Sequence, residues 1–146
     1  ARVMDLQHPD RKMSKSEHSV NGTINVLENP DSVRKKIKRA VTDSDGEVRF
    51  DFEEKAGVSN LLSILGAAKG IPPSEVATSF ERYGDLKAAT ADAVVELLSP
   101  IQERFADLQA DPAETRRLLQ VGADKAREIA SATLTRAQHN SGLLES

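Results

Sequence analysis

Five consecutive residues, Lys12-Met13-Ser14-Lys15-Ser16, carry the residue types best suited to chemistry in this chain. They lie in a polar segment, so we expect a loop. Two ammonium groups three positions apart, interleaved with serine hydroxyls, can surround a polyphosphate, because lysine supplies charge and serine supplies adjustable donors. Such lysines bind a leaving pyrophosphate more strongly as its charge grows in the transition state. The pattern therefore predicts a mobile polyphosphate loop, with a solvated Lys/Ser loop as the alternative.

Other catalytic patterns are missing from the sequence. The three histidines, His8, His18 and His139, lack metal-ligand spacing. The absence of cysteine excludes disulfides, thiolate metal sites and a cysteine nucleophile. Asp43-Ser44-Asp45-Gly46 resembles part of a calcium loop, but the alignment puts Phe52 where the bidentate Glu belongs, so it predicts a turn. We therefore predict no metal site.

A short apolar segment, Val3 to Leu6, precedes the loop and ends at the turn residues Gln7-His8-Pro9-Asp10. We predict a strand here, and its candidate partner is 47–52, where apolar and charged residues alternate. A single strand cannot satisfy its own backbone groups. We therefore expect a preceding portion of the protein that contains a sheet, and we expect residues 1 to about 25 to be poorly ordered without it.

Three helices are predicted between residues 30 and 83 from their start and stop residues. The first, about 30–41, begins with Asn29 as N-cap and Pro30 at the first helical position. The second runs over about 58–69 and ends at Gly70-Ile71-Pro72-Pro73; the third runs over about 74–83. The residues predicted to be buried in the first two helices are Val33, Ile37, Ala40, Val41, Leu61, Leu62, Leu65 and Ala68.

Two longer helices follow, over about 85–109 and 113–138. Pro100 is expected to kink or divide the earlier one, and Gly122 to interrupt the later one. The later helix has Asp111 as N-cap, Pro112 next, and Glu114 placed to reach back as in a capping box. The earlier helix is predicted to bury Val94, Leu98, Ile101, Phe105 and Leu108, and the later helix presents Leu118, Leu119, Ala126, Ile129, Ala130, Thr133, Leu134 and Ala137.

The composition favours a helical protein of about one domain. Of the 146 residues, 38% are hydrophobic and only 3% are aromatic, so Leu, Val, Ile and Ala must form most of the core. A β-sandwich or barrel needs more β-branched and aromatic residues. No stretch approaches the roughly 18 apolar residues of a membrane helix and no leader opens the chain, so we expect a cytoplasmic protein.

Charge is unevenly distributed along the chain. The formal net charge is −3, but residues 1–42 carry +4 and the remainder −7. The first predicted helix contributes Arg34, Lys35, Lys36, Lys38 and Arg39 outside its apolar face. These side chains can contact nucleic-acid phosphates, or they can form a solvated helix face. Because no aromatic residue is interleaved among them, phosphate contact is favoured over base recognition.

The string KMSKS at residues 12–16 is identical to the second signature motif of class I aminoacyl-tRNA synthetases. The segment ARVMDLQHPDRKMSKS resembles the strand and loop entering that motif in the tryptophanyl-tRNA synthetases. KKIKRAVTDSDGEVRFDFEEKAGVSNLL and SPIQERF resemble later segments of the same family. The similarity covers nearly the whole chain and is densest over residues 1–65.

The resemblance implies roles for individual residues. The implied mobile ATP loop consists of Lys12, Met13, Ser14, Lys15 and Ser16. Lys15 is the implied main contact to the departing pyrophosphate, Lys12 assists it, and Val3 occupies the position whose backbone meets the adenine. The implied reaction forms tryptophanyl-adenylate from tryptophan and ATP and transfers the amino acid to tRNA(Trp). Mg²⁺ accompanies the ATP, and a homodimer is the implied working form.

The resemblance also implies a domain organisation. We expect residues 1–28 to be the C-terminal edge of a Rossmann-like α/β catalytic domain, containing the last strand and the KMSKS loop. Residues 29–146 are expected to form a mainly α helical bundle that recognises the anticodon. The family's first ATP motif and amino-acid pocket are not found in the chain, so we expect this fragment alone to be inactive. The alternatives are a fragment of a tyrosyl-type class I synthetase and a non-catalytic helical RNA-binding module.

Overall fold

The computed structural model describes residues 2–14 and 19–142 and is mainly helical, as the composition predicts. Its helices are α1 (Pro30–Lys38), α2 (Ala56–Lys69), α3 (Pro73–Ala77), α4 (Tyr83–Ala110) and α5 (Pro112–Ser141). The chain forms two compact units, Ala1–Gln102 and Glu103–Ser146. The boundary predicted after residue 28 lies inside the first unit.

Helix α1 begins as predicted and ends earlier than predicted. The Asn29 side chain accepts a hydrogen bond from the Asp31 amide at 2.9 Å, which caps the helix. The predicted helix over 30–41 stops at Lys38, and Val41 is 44% exposed rather than buried. The Val41 amide donates to the Leu6 carbonyl at 2.8 Å. The Val41 amide therefore bonds to a distant part of the chain, and not to a carbonyl in a further turn of α1.

The core of the first unit is formed around α2. Its buried side chains include Leu6, Val33, Ile37, Val58, Leu61, Leu62, Leu65, Leu86 and Val94. Gly70 ends α2 in the left-handed conformation at φ 69°, a backbone state that glycine adopts without penalty. The inward residues predicted for α2 are confirmed at Leu61, Leu62 and Leu65, because the apolar stripe of the helix faces this core.

Neither predicted strand forms among the described residues. Residues 3–6 make one isolated antiparallel bridge, between Met4 and Lys12, and the chain bends at Leu6. Residues 47–51 are irregular, and the Asp51 carboxylate accepts hydrogen bonds from the Glu53 and Glu54 amides, which turns the chain at residues 52–54. The backbone groups of this segment find partners within the chain, because the Val3 carbonyl accepts a hydrogen bond from the Met13 amide and the Met4 backbone is bonded to Asn60.

Helices α3 and α4 differ from their predicted bounds. The predicted helix over 74–83 ends at Ala77, where the Thr78 hydroxyl donates to the Glu75 carbonyl at 2.8 Å and competes with continuation. Helix α4 continues across Pro100 without being divided. Its predicted buried stripe is confirmed at Val94, but Ile101 is 49% exposed.

The second unit is formed by the end of α4 and by α5. Asp111 caps α5 as predicted, accepting from the amides of Ala113 and Glu114. Glu114 does not complete a capping box, because its carboxylate binds Arg117 at 2.6 Å. Helix α5 runs through Gly122, and none of its residues is buried. Among the residues that this helix presents, Leu118, Leu119, Ile129 and Leu134 are exposed.

The predicted turn at residues 43–46 is confirmed and is held by a buried lysine. Lys55, with 1% of its side chain exposed, donates to Asp43 at 3.2 Å, to Tyr83 Oη at 3.0 Å, and to Asp45. Burial lowers the pKa of Lys55, but these contacts outweigh it and raise that pKa above its ordinary value. Burial and the hydrogen bond to Asp43 raise the pKa of Tyr83 to about 12. The cluster joins the turn to α2 and α4.

Candidate ATP-binding and RNA-binding surfaces

Residues 3–13 form a hairpin, which leads directly into the Lys/Ser loop. The Met13 amide donates to the Val3 carbonyl at 3.0 Å, and the Asp5 amide donates to the Arg11 carbonyl at 2.9 Å. The hairpin turns at residues 9–10, within the predicted turn segment 7–10, because Pro and Asp favour that conformation. This arrangement places Val3 and Met13 opposite each other at its open end.

A groove of about 360 Å³ lies beside the open end of the hairpin. Its lining residues are Arg2, Val3, Lys12, Met13, Ser14, Thr23 and Ile24. The groove therefore brings together four of the six residues predicted to bind ATP, namely Val3, Lys12, Met13 and Ser14. Lys15 and Ser16, also predicted to bind ATP, lie outside the described residues. The lining supplies the Lys12 ammonium and the Arg2 guanidinium, both suitable donors to phosphate oxygens.

Residues 19–24, which we call the return segment, run back past the hairpin. The Leu6 amide donates to the Gly22 carbonyl at 2.9 Å. A Cβ on Gly22 would lie 2.0 Å from the Asp5 carboxylate, so only glycine permits this close approach. Asp5 is itself buried and accepts from the amides of Gln7 and His8, at 2.7 and 3.0 Å. The hairpin and the return segment, which come before and after the loop in the sequence, are therefore packed against each other.

Lys36 faces inward and holds the return segment against α1. Its Nζ lies 2.7 Å from Glu28 Oε1 and donates to the Thr23 carbonyl at 2.8 Å. The Thr23 hydroxyl in turn donates to the Ser14 carbonyl at 3.3 Å. Burial raises the pKa of Glu28, but hydrogen bonds from Lys36, Ser32 and the Asn25 amide outweigh it and hold that pKa below its usual value. The prediction that Lys36 lies on the solvent-facing basic surface is therefore wrong, because Glu28 offsets its charge inside the fold.

The other four basic residues of the predicted set are exposed: Arg34, Lys35, Lys38 and Arg39. Arg34 Nε lies 3.2 Å from Asp92 on α4. A concavity of about 560 Å³ beside Arg34 and Lys38 is also lined by Lys87 and Asp92. Lys87 donates to the Thr42 hydroxyl at 3.2 Å, and burial lowers the pKa of its ammonium. This surface has an excess of positive charge, which suits phosphate groups.

Sequence reasoning missed several residues at these surfaces. Arg2, Thr23 and Ile24 line the groove, and Lys87 joins the basic surface, although none belongs to a recognisable motif. Lys87 lies 49 positions after Lys38 in the chain. Only the packing of α4 beside α1 brings the two together, so no local pattern in the sequence indicates their proximity.

Two classes of feature are absent from residues 2–14 and 19–142. No helix there combines the length and apolar character needed to cross a membrane. In the same ranges, no three His, Cys, Asp or Glu side chains are grouped so as to hold a metal ion.

Comparison with known proteins shows one consistent family. The family model described as tRNA synthetases class I (W and Y) matches residues 1–99. Tryptophan–tRNA ligase 1 of Streptomyces coelicolor is 49% identical over 144 residues, covering 99% of this chain and 43% of that protein. The tryptophan–tRNA ligase of Enterococcus faecalis is 46% identical and is also covered over 43% of its length. The chain thus spans less than half the length of these curated relatives.

A solved structure agrees in fold over nearly the whole chain. The crystal structure of tryptophanyl-tRNA synthetase from Mycoplasma pneumoniae matches with a TM-score of 0.87 and 35% identity, covering 99% of this chain and 44% of that one. This match extends the likeness beyond residue 99, through the second compact unit.

Proposed function

The chain belongs to the class I tRNA synthetases of tryptophan and tyrosine, and we propose that it is the C-terminal part of a tryptophan–tRNA ligase. The relatives that cover it at 46% and 49% identity are tryptophan–tRNA ligases, which supports tryptophan over tyrosine as the amino acid. The proposed whole enzyme activates tryptophan with ATP and transfers it to tRNA(Trp). The chain alone is proposed to be inactive, because its sequence contains neither the first ATP motif nor the amino-acid pocket of the family.

The single observation that carries the proposal is the groove beside the hairpin. Val3, Lys12, Met13 and Ser14 line it, and they are the described residues to which the family resemblance assigns ATP contacts. In the proposed reaction, a carboxylate oxygen of tryptophan attacks the α-phosphorus of ATP. The bond from that phosphorus to the bridging oxygen breaks, and pyrophosphate leaves with the electron pair. Lys15 and Lys12 would stabilise the charge growing on the pyrophosphate.

The exposed basic surface is proposed to contact tRNA phosphates. Arg34, Lys35, Lys38 and Arg39 on α1 lie on the surface, and Lys87 on α4 lines the same concavity as Arg34 and Lys38. Lysine and arginine that neutralise phosphates release counterions, so this contribution to binding must weaken as salt increases. The absence of aromatic side chains between these basic residues supports backbone contact rather than base stacking.

The remaining assignments follow from the family alone. The proposed enzyme takes Mg²⁺ with its ATP, works as a homodimer, and acts in the cytoplasm, where protein synthesis takes place. These proposals are independent of the roles given to the groove and to α1.

Substitution of the two loop lysines in the full-length enzyme tests the proposed function. Lys15→Ala is expected to slow tryptophanyl-adenylate formation by roughly a hundredfold or more, because it removes a preorganised charge beside a developing anion. Lys12→Ala is expected to slow it less, and the two effects together are expected to be less than additive because both lysines act on one pyrophosphate. Tryptophan-dependent pyrophosphate exchange and single-turnover kinetics measure the step.

Lys69→Ala provides a matched control, since Lys69 is an exposed lysine at the end of α2. It should leave adenylate formation unchanged, and none of the three variants should change tryptophan affinity. If Lys15→Ala leaves adenylate formation intact while tRNA charging fails, the loop contacts RNA and the proposed pyrophosphate role is wrong. Exchange that depends on tyrosine rather than tryptophan would contradict the proposed amino acid.

A further inference from the structure

Asn60 makes an unusual pair of contacts from the buried face of α2. The residue is 2% exposed, and both ends of its side-chain amide bind the backbone of Met4. Asn60 Oδ1 accepts from the Met4 amide at 2.9 Å, and Asn60 Nδ2 donates to the Met4 carbonyl at 2.9 Å. An opposing residue in an antiparallel sheet supplies the same two hydrogen bonds. A single side chain, 56 positions away, thus takes the place of a neighbouring strand.

Met4 is the residue through which this contact reaches the proposed ATP groove. On its other side Met4 forms the antiparallel bridge to Lys12. The carbonyl of the neighbouring residue Val3 accepts a hydrogen bond from the Met13 amide at 3.0 Å. The position of Met4 therefore sets both Val3 and Lys12, which line the groove. Asn60 itself does not line it.

Other contacts already secure the rest of this segment to the fold. Leu6 is buried in the core, its amide binds Gly22, and its carbonyl accepts the Val41 amide. A buried side-chain amide costs free energy unless both of its ends are hydrogen-bonded. If packing were the only requirement at position 60, a leucine would meet it without that cost. The amide of Asn60 is thus matched to one task, which is to fix the backbone at Met4.

We propose that Asn60 is a positioning residue for the ATP step, because its clamp on Met4 sets Val3 and Lys12 at the groove. This inference rests on the proposed function, since it assumes that the groove binds ATP. The clamp fixes the hairpin from α2, so that ATP meets a preformed backbone edge and a correctly placed ammonium. A displacement of about 1 Å in a catalytic group can lower a rate by about a hundredfold.

The test uses Asn60→Asp and Asn60→Ser in the full-length enzyme. Asn60→Asp keeps the size but replaces the donor to the Met4 carbonyl with an oxygen, and Asn60→Ser shortens the side chain so that the pair of bonds is lost. Both variants are expected to raise the KM for ATP and to slow adenylate formation by about ten- to a hundredfold. The KM for tryptophan should stay within about twofold of its original value. Rates are counted per folded active site by single-turnover burst, which removes the effect of any unfolded fraction.

Ser59→Ala is the matched control. Ser59 is the neighbouring buried polar residue of α2, but its hydroxyl accepts the Asp51 amide at 2.8 Å and does not contact the hairpin. Loss of stability through α2 should appear in this variant too, without a selective change in the KM for ATP. An equal rise in both KM values in the Asn60 variants, or the same ATP-selective change in Ser59→Ala, would overturn the positioning role.

Lys12→Ala, measured in parallel, separates the inference from the proposed function. If Lys12→Ala slows adenylate formation and the Asn60 variants do not, the positioning role fails and the ATP groove stands. If neither has an effect, the proposed groove fails and the inference fails with it. Combining Lys12→Ala with Asn60→Ser should give less than the product of the two separate effects, because Asn60 acts partly through the placement of Lys12. If the two effects instead multiply, Asn60 does not act through the placement of Lys12.

Discussion

Lys35 and Lys36 are neighbours on α1, and the structure predicts opposite consequences when their charges are removed. Lys35 is exposed, whereas the side chain of Lys36 is 10% exposed and contacts Glu28 and the Thr23 carbonyl. Substitution of each by methionine removes the ammonium while keeping a long, helix-compatible side chain. The two variants therefore differ chiefly in whether the lost charge was buried.

The expected loss of stability for Lys36→Met is about 3 kcal/mol in the free energy of unfolding, the lower end of the range for removing one partner of a buried ion pair. The lower end applies because Glu28 keeps its bonds from the Ser32 hydroxyl at 2.7 Å and the Asn25 amide at 3.1 Å. Lys35→Met should change stability by less than about 0.5 kcal/mol, as is usual for an exposed site.

The pH dependence gives a second test of the same contact. The folded-state pKa of Glu28 is held below 4.5, so its stabilising contribution is complete above pH 4.5 and is lost as the pH falls through the folded-state pKa. In Lys36→Met, burial still raises the pKa of Glu28, but the hydrogen bond from Lys36 that lowered this pKa most is lost. The destabilisation should therefore be largest at neutral pH and should shrink as the pH falls below 4.5.

Urea denaturation of the 146-residue chain followed by circular dichroism measures the stability difference. Binding of tRNA by the full-length enzyme at several salt concentrations measures the contribution of each lysine to RNA affinity. Lys35→Met should flatten the salt dependence, and Lys36→Met should leave it unchanged in folded protein. Equal stability of the two variants, or a flattened salt dependence in Lys36→Met alone, would refute the assignment of Lys36 to the interior.

Further predictions concern the core, the buried cluster and the second unit. Leu6→Ala should lower the free energy of unfolding by about 2–5 kcal/mol and remove amide protection in the hairpin, whereas Val20→Ala, at a site 76% exposed, should do neither. Because Tyr83 is the one tyrosine in the chain and there is no tryptophan, near-ultraviolet absorbance can follow its ionisation alone. The midpoint should lie at about 12, and Asp43→Asn should lower it, because the substitution removes the negative charge that faces the hydroxyl and disfavours its ionisation. Asp111→Ala should destabilise the start of α5 by about 1 kcal/mol, seen as faster hydrogen exchange of its first-turn amides, and unchanged exchange there would contradict the cap.

Sequence alone was sufficient where the determining contacts lie within a few residues. The caps at Asn29 and Asp111, the stop at Gly70 and the turn at 43–46 were all predicted from residue type and order, and all are present. Each depends on a backbone preference or on a hydrogen bond to a residue two or three positions away. The KMSKS string is likewise consecutive, so it is recognisable without any knowledge of the fold.

Periodicity in the sequence identified apolar helix faces but not what covers them. The face of α1 at Val33 and Ile37 is buried, whereas Phe105 on α4 and Ile129 on α5 are exposed, although all four follow a helical repeat. A repeat determines which side chains share one face of a helix. It carries no information about a second surface, which the fold must supply.

Only the tertiary structure decided which polar groups belong to the interior. Lys35 and Lys36 are the same residue type in adjacent positions, and the rotation of α1 against the core places one in water and the other on Glu28. The pairing of Asn60 with Met4 joins positions 56 residues apart. Burial of a charge or an amide is tolerated only where a partner meets it, and these partners come from distant parts of the chain. Such contacts exist only after the helices have packed, so no local pattern of residues can reveal them.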